Sequence, residues 1–263
     1  MADKYVIYEK RNHTAYITLN RPERMNALGR ELSRELSDAL SDFETDPDTW
    51  IGIITGAGDR AFCAGADLKD RAASFDSPAP EGIEERPTRP GGNISIMSGA
   101  ITKPIIAAVN GVAYGAGCGM ASTCDMVVAA EHARFGLPEV KRSLVPLMAG
   151  SRFIRSMPRK IAAEIMLTGG TISAQEAERW GFVNRVVPAD QLMATAQQLV
   201  DQVLECAPLA VRATKKYVLD IGVELPISVV ASLNVNTEVN GTEDEKEGPR
   251  AFVEKRKPVW KGR

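Results

Sequence analysis

The 263-residue sequence predicts an α/β fold with parallel strand pairing, and three observations carry that prediction. Short, almost wholly apolar runs recur at 50–55, 105–109 and 126–130, the pattern of strands buried on both faces. Residues 30–43 place Leu32, Leu36, Ala39, Leu40 and Phe43 on one face of an amphipathic helix. Past Pro138 the chain turns mainly helical. Buried strands alternating with helices pair in parallel through right-handed crossovers.

In chain order, residues 5–9 and 14–19 read as two short strands, with Lys10-Arg11-Asn12-His13 between them as a hairpin signal. Asn20-Arg21-Pro22 breaks the second strand, and the helix at 30–43 follows. The strand at 50–55 ends in Gly56-Ala-Gly58. Residues 72–92 hold four prolines and several charges, which suits a flap or functional loop rather than a regular element. Pro104 precedes the strand at 105–109. Helices are expected at 159–168, 173–180, 189–205, 208–220 and 226–238, with Ser173 and Glu176 forming an S-x-x-E capping box. The expected division is a core over 1–199 and a C-terminal helical region over 200–263.

Composition narrows the function classes. The chain is 44% hydrophobic and 25% charged, average for a globular protein. Thirty-two basic residues against 34 acidic ones leave a net charge of −2, so no basic excess exists to bind a nucleic-acid backbone. No apolar run reaches the length of a membrane-spanning helix, and the N-terminus lacks the apolar core of a secretory signal. Cys63, Cys118, Cys124 and Cys206, without C-x-x-C spacing, read as buried small hydrophobes in a reducing cytosol, so a cytoplasmic protein is expected. His13 and His132 have no ligand-type neighbour at i+3 or i+4, and no metal site is expected.

Three stretches are candidates for chemistry. In Val109-Asn-Gly-Val-Ala-Tyr-Gly-Ala-Gly-Cys-Gly-Met120 a strand end leads through Gly115, Gly117 and Gly119 into a helix expected to start near Met120. Free N–H groups at such a junction suit a developing oxyanion, although a tight helix–sheet contact calls for the same small residues. Ala64-Gly65-Ala66, after the strand at 50–55, is a second turn of this kind, equally open to reading as an ordinary connection. Two such donors make a two-point oxyanion hole. In Phe135-Gly-Leu-Pro-Glu139 the carboxylate is a candidate general base with a raised pKa, or a charge complementing a helix dipole.

These residues carry a resemblance. Ile106-Ala-Ala-Val-Asn-Gly111, Gly115-Ala-Gly117 and Ser122-Thr-Cys-Asp-Met126, in that order and spacing, resemble the signature of the crotonase (enoyl-CoA hydratase/isomerase) family. Asn20-Arg21-Pro22 with Asn26-Ala27-Leu28, residues 61–69, 135–139, 167–169, 174–184 and 251–256 extend the likeness over nearly the whole chain. The resemblance implies a spiral of ββα units with a C-terminal helical trimerisation region, assembled as a homotrimer or dimer of trimers. It implies an acyl-CoA thioester substrate, with coenzyme A part of that substrate and no further cofactor. By position, the Ala66 and Ala116 N–H groups would hold the thioester oxygen and stabilise an enolate, with Glu139 as acid/base. Ala64, Asp67, Leu68 and Lys69 match the stretch lining the CoA arm, and Arg24 is a candidate for the CoA phosphates.

One departure bears on mechanism. Hydratases of this family resemble one another in carrying two glutamates, and the second position is Gly119 here. The resemblance therefore implies an enoyl-CoA hydratase working through Glu139, with a Δ3,Δ2-enoyl-CoA isomerase and a non-catalytic acyl-CoA-binding homologue as alternatives. A rival from another class is a dinucleotide-dependent oxidoreductase, since Gly56-Ala-Gly58-Asp-Arg-Ala61 matches G-x-G-x-x-A after a strand. Against it, no long amphipathic helix follows.

Overall fold

The computed structural model describes residues 4–68, 96, 101–221 and 241–263. Lys69, the flap expected at 72–92 and the helix expected at 226–238 lie outside the described residues. The first hairpin joins β1 (Val6–Arg11) to β2 (Thr14–Leu19), antiparallel, with Arg11 opposite Thr14. Asn12 and His13 both take positive φ, 49° and 60°, the geometry whose twist matches a two-residue hairpin. Helix α1 (Arg30–Thr45) buries the five apolar residues its spacing predicts. Its N-cap, Gly29, offers no side chain, so packing rather than capping holds that end. At the other end the buried Lys103 ammonium donates to the carbonyls of Phe43 and Asp46, at 2.6 and 2.5 Å.

β3 (Ile51–Gly56), β5 (Ile105–Val109), β7 (Met126–Ala130) and β10 (Arg185–Val187) add to β2 in parallel, giving a six-stranded sheet in the order β1-β2-β3-β5-β7-β10. On one face α1 packs against Ile17, Leu19, Ile54 and Ile105. On the other, helix α6 (Leu192–Leu204) lays Leu192, Ala196, Leu199 and Val200 over Ile51, Ile53, Ile106 and Val128. Both faces are covered, which is why β5 reads as an unbroken apolar run.

A second sheet is the feature that sequence patterning does not show. β4 (Ala61–Cys63), β6 (Val112–Tyr114), β8 (Arg134–Gly136) and β9 (Thr171–Ser173) form it in the order β4-β6-β8-β9, the first three parallel. The chain alternates between the sheets: β3 feeds β4, β5 feeds β6, and β7 feeds β8. Phe135, Phe153 and Phe182 pack edge to face beneath it, with centroids 5.0 and 5.4 Å apart. Gly56-Ala-Gly58 thus leads into β4 rather than into a dinucleotide-binding helix.

Helices α2 (Ala116–Thr123), α3 (Leu147–Phe153), α4 (Arg159–Thr168) and α5 (Ala174–Arg179) follow, with the Ser173/Glu176 capping box formed in both directions. The expected boundary between 199 and 200 falls inside α6 (Leu192–Leu204), whose apolar face belongs to the main sheet. Helices α7 (Pro208–Ile221) and α8 (Glu243–Val253) complete the described chain. Two expectations need correction. Helix α2 begins at Ala116, not near Met120: Gly119 N–H bonds Gly115 O at 2.9 Å and closes the first turn there. Nor are all four cysteines buried, since Cys206 is exposed at the end of α6, beyond the reach of the sheet.

Candidate active site

The carboxyl ends of three neighbouring parallel strands meet at one place. β4 runs out into Ala64-Gly65-Ala66, β6 into Gly115-Ala116, and β8 into Pro138-Glu139. The adjacency of β4, β6 and β8 is therefore what gathers residues far apart in sequence. Gly115 N–H donates to Gly136 O at 3.0 Å, continuing the β6–β8 ladder into the first turn of the site.

The two glycine turns sit directly against each other. Gly65 has φ +98°, and a Cβ there would lie 2.9 Å from Tyr114 O and 3.5 Å from Ala116 N. Gly115 has φ +54° and caps α2, leaving Ala116 as the first helical residue. Among the described residues no group accepts a hydrogen bond from the Ala66 or Ala116 N–H. Both are free donors, and the second lies at the positive end of a helix.

The Ala66 turn is held by residues 21–28. Leu28 N–H bonds Gly65 O at 2.8 Å and Asp67 N–H bonds Leu28 O at 3.1 Å, while Ala64 N–H bonds Met25 O at 3.0 Å. Buried Asn26 donates to Ala61 O and Ala57 O and accepts from Arg21 N–H. Arg21 Nη1 meets the Asp67 carboxylate at 2.8 Å, so the Asp67 side chain faces Arg21 rather than the cavity.

Glu139 enters from a 3-10 turn (Pro138–Arg142) that follows β8. An added Cβ on Gly115 would come within 3.1 Å of Glu139 Oε1. Oε2 is buried and, among the described residues, has no hydrogen-bond partner. Burial raises the pKa of this carboxyl, opposed by its own backbone N–H and by the Arg142 guanidinium. Cys63 and Cys118, behind the turns, are buried thiols pushed up to about 12, too protonated to serve as nucleophiles.

These groups surround a cavity of about 490 Å³. It brings together Ala64, Ala66, Leu68, Ala116 and Glu139 among the residues singled out from sequence. Arg24 is exposed and does not line it, Gly119 is buried within α2, and Lys69 lies outside the described residues. Sequence reasoning missed Tyr114, Arg142 and the apolar wall from Leu144 to Met148.

The whole chain has relatives. A family profile described as enoyl-CoA hydratase/isomerase matches residues 9–263. The (E)-benzylidenesuccinyl-CoA hydratase of Thauera aromatica is 38% identical over 260 residues, covering 98% of this chain and 99% of that protein. The mevalonyl-coenzyme A hydratase of Aspergillus fumigatus is 42% identical over 256 residues, 95% of this chain and 92% of its own. A crystal structure of an enoyl-CoA hydratase from Mycobacterium marinum matches with a TM-score of 0.88 at 34% identity, covering 99% of this chain and 100% of that one.

Proposed function

Because this chain belongs to the enoyl-CoA hydratase/isomerase (crotonase) family, we propose that it is an enoyl-CoA hydratase acting through Glu139 and an enolate held by Ala66 and Ala116. The observation that carries this reading is the convergence of two unused backbone N–H donors and one carboxylate on a single cavity.

In this reading the thioester carbonyl oxygen accepts from both N–H groups. Glu139 takes a proton from water as the hydroxyl oxygen bonds to C3. The C2=C3 electron pair moves toward the carbonyl, and negative charge collects on the oxygen facing the two donors. One such donor is worth about 2.7–4 kcal/mol of transition-state stabilisation. Protonation at C2, by Glu139 or solvent, restores the thioester. As the resemblance implies, Ala64, Leu68 and Lys69 match the stretch that lines the CoA arm, and Arg24 is the candidate for its phosphates. Asp67 supports that arm from behind by fixing the turn through Arg21.

Gly119 favours a second reading, Δ3,Δ2 isomerisation. There Glu139 alone removes a proton from C4 and returns it to C2, with no second carboxyl required. No cofactor beyond the substrate's own coenzyme A enters either route. We also assign the assembly as a homotrimer or dimer of trimers. A reducing, cytoplasmic setting suits four free cysteines.

The test is turnover of crotonyl-CoA and of a 3-enoyl-CoA by wild type and Glu139→Gln. The variant should lose at least about 10²-fold in rate while thioester binding persists. Full activity in Glu139→Gln would remove the acid/base from this residue, and an inert wild type would leave a binding protein.

A further inference from the structure

Arg142 follows Glu139 by three positions in the 3-10 turn, where side chains three apart eclipse, so both face the cavity. Lys141, the turn's other cation, lies elsewhere: its Cγ, Cδ and Cε are within 3.0–3.2 Å of a Cβ built on Gly169. Among the described residues Arg142 has no ion pair, and its one hydrogen bond is a marginal 3.5 Å contact from Nη1 to Pro138 O. Most of a guanidinium's five donors are thus unused at the rim of a site. The wall beyond it, Leu144 to Met148, is apolar and supplies no anion. At Gly119, where a two-glutamate site would add a second negative charge, this chain has none.

We propose that Arg142 is an anion subsite that selects acyl-CoA thioesters whose acyl group carries a carboxylate. This rests on the acyl-CoA reading above and adds its substrate class. A planar guanidinium can take both oxygens of a carboxylate at once, whereas an uncharged acyl tail gains only the apolar wall.

The experiment compares two saturated thioesters that cannot add water, glutaryl-CoA and butyryl-CoA, by calorimetric titration of the full chain. Wild type should bind glutaryl-CoA about tenfold or more tightly than butyryl-CoA. Arg142→Gln should bring that ratio close to one, and Arg142→Lys should keep part of it. A wild-type ratio of one overturns the proposal. So does an equal loss for both thioesters in Arg142→Gln, which would place the guanidinium on a CoA phosphate instead. Binding of neither thioester would sink the acyl-CoA reading itself, and this inference with it. Removing the neighbouring cation raises the Glu139 pKa and lessens its repulsion of the glutaryl carboxylate, so a change at Glu139 runs against the expected loss and does not imitate it.

Discussion

Glu139 is held where ionisation is costly, and that sets two pH dependences of opposite sense. Its carboxyl has a raised pKa from burial, so the folded chain binds the proton more tightly than the unfolded chain does. From the ordinary carboxylate value up to the raised one, stability falls as pH rises. Glu139→Gln removes the charge, so its melting temperature should exceed that of wild type at neutral pH and converge with it below the ordinary value. Parallel curves at every pH would show that the shift does not arise at this residue. Under the mechanism proposed above, activity should run the other way, because the base form of Glu139 disappears as pH falls through the raised value; a pH–rate profile checks this. Gly119 allows a complementary gain: Gly119→Glu should raise crotonyl-CoA hydration relative to isomerisation of a 3-enoyl thioester. An unchanged ratio would place the second proton carrier elsewhere. Glu139 is legible in the sequence because a proline and apolar neighbours mark it. Arg142 is not, since it hides in an ordinary basic pair; only its 3-10 spacing after Pro138 distinguishes it. The Arg21–Asp67 contact joins residues 46 apart, which no local pattern reveals.

At the scale of elements, legibility follows length and periodicity. Helix α1 and strands β5 and β7 are long or uniformly apolar, and their bounds follow from pattern almost residue for residue. Each strand of the second sheet has three residues, too few for a period of two to repeat. Those strands are also the ones whose ends build the site, so the site's scaffold was the least visible part of the fold. Helix α2 is misplaced from sequence because Ala116-Gly-Cys-Gly119 has poor helix propensity, and tertiary contact overrides it. A Cβ on Gly117 would overlap the Cys63 carbonyl, so α2 lies hard against the end of β4. Gly→Ala inside a helix ordinarily gains about 0.5–1 kcal/mol, while overpacking costs about 1–3 kcal/mol. The clash should win, and Gly117→Ala should lower the urea midpoint of unfolding. A stabilised variant would mean that α2 does not seat this closely.

At the scale of the whole molecule, large apolar side chains remain uncovered. Val145 and Leu147, on the cavity wall, and Leu167 are 72%, 75% and 79% exposed, apolar area that a neighbouring chain would cover. Light scattering at micromolar concentration should therefore return a mass of three or six chains, and a monomer alone would defeat the assembly assignment. The back-to-back packing of Gly65 and Gly115 has a consequence for how such a protein diversifies. If the activating donors are peptide N–H groups, no change of side chain short of proline deletes them; otherwise only a change of backbone path does. Electrophile activation is then inherited with the chain trace, while the proton-handling residues are free to drift, be lost or be replaced. A glycine at 119 is one state of that free variable, and a lineage can pass through it without dismantling the part of the catalyst that is hardest to rebuild.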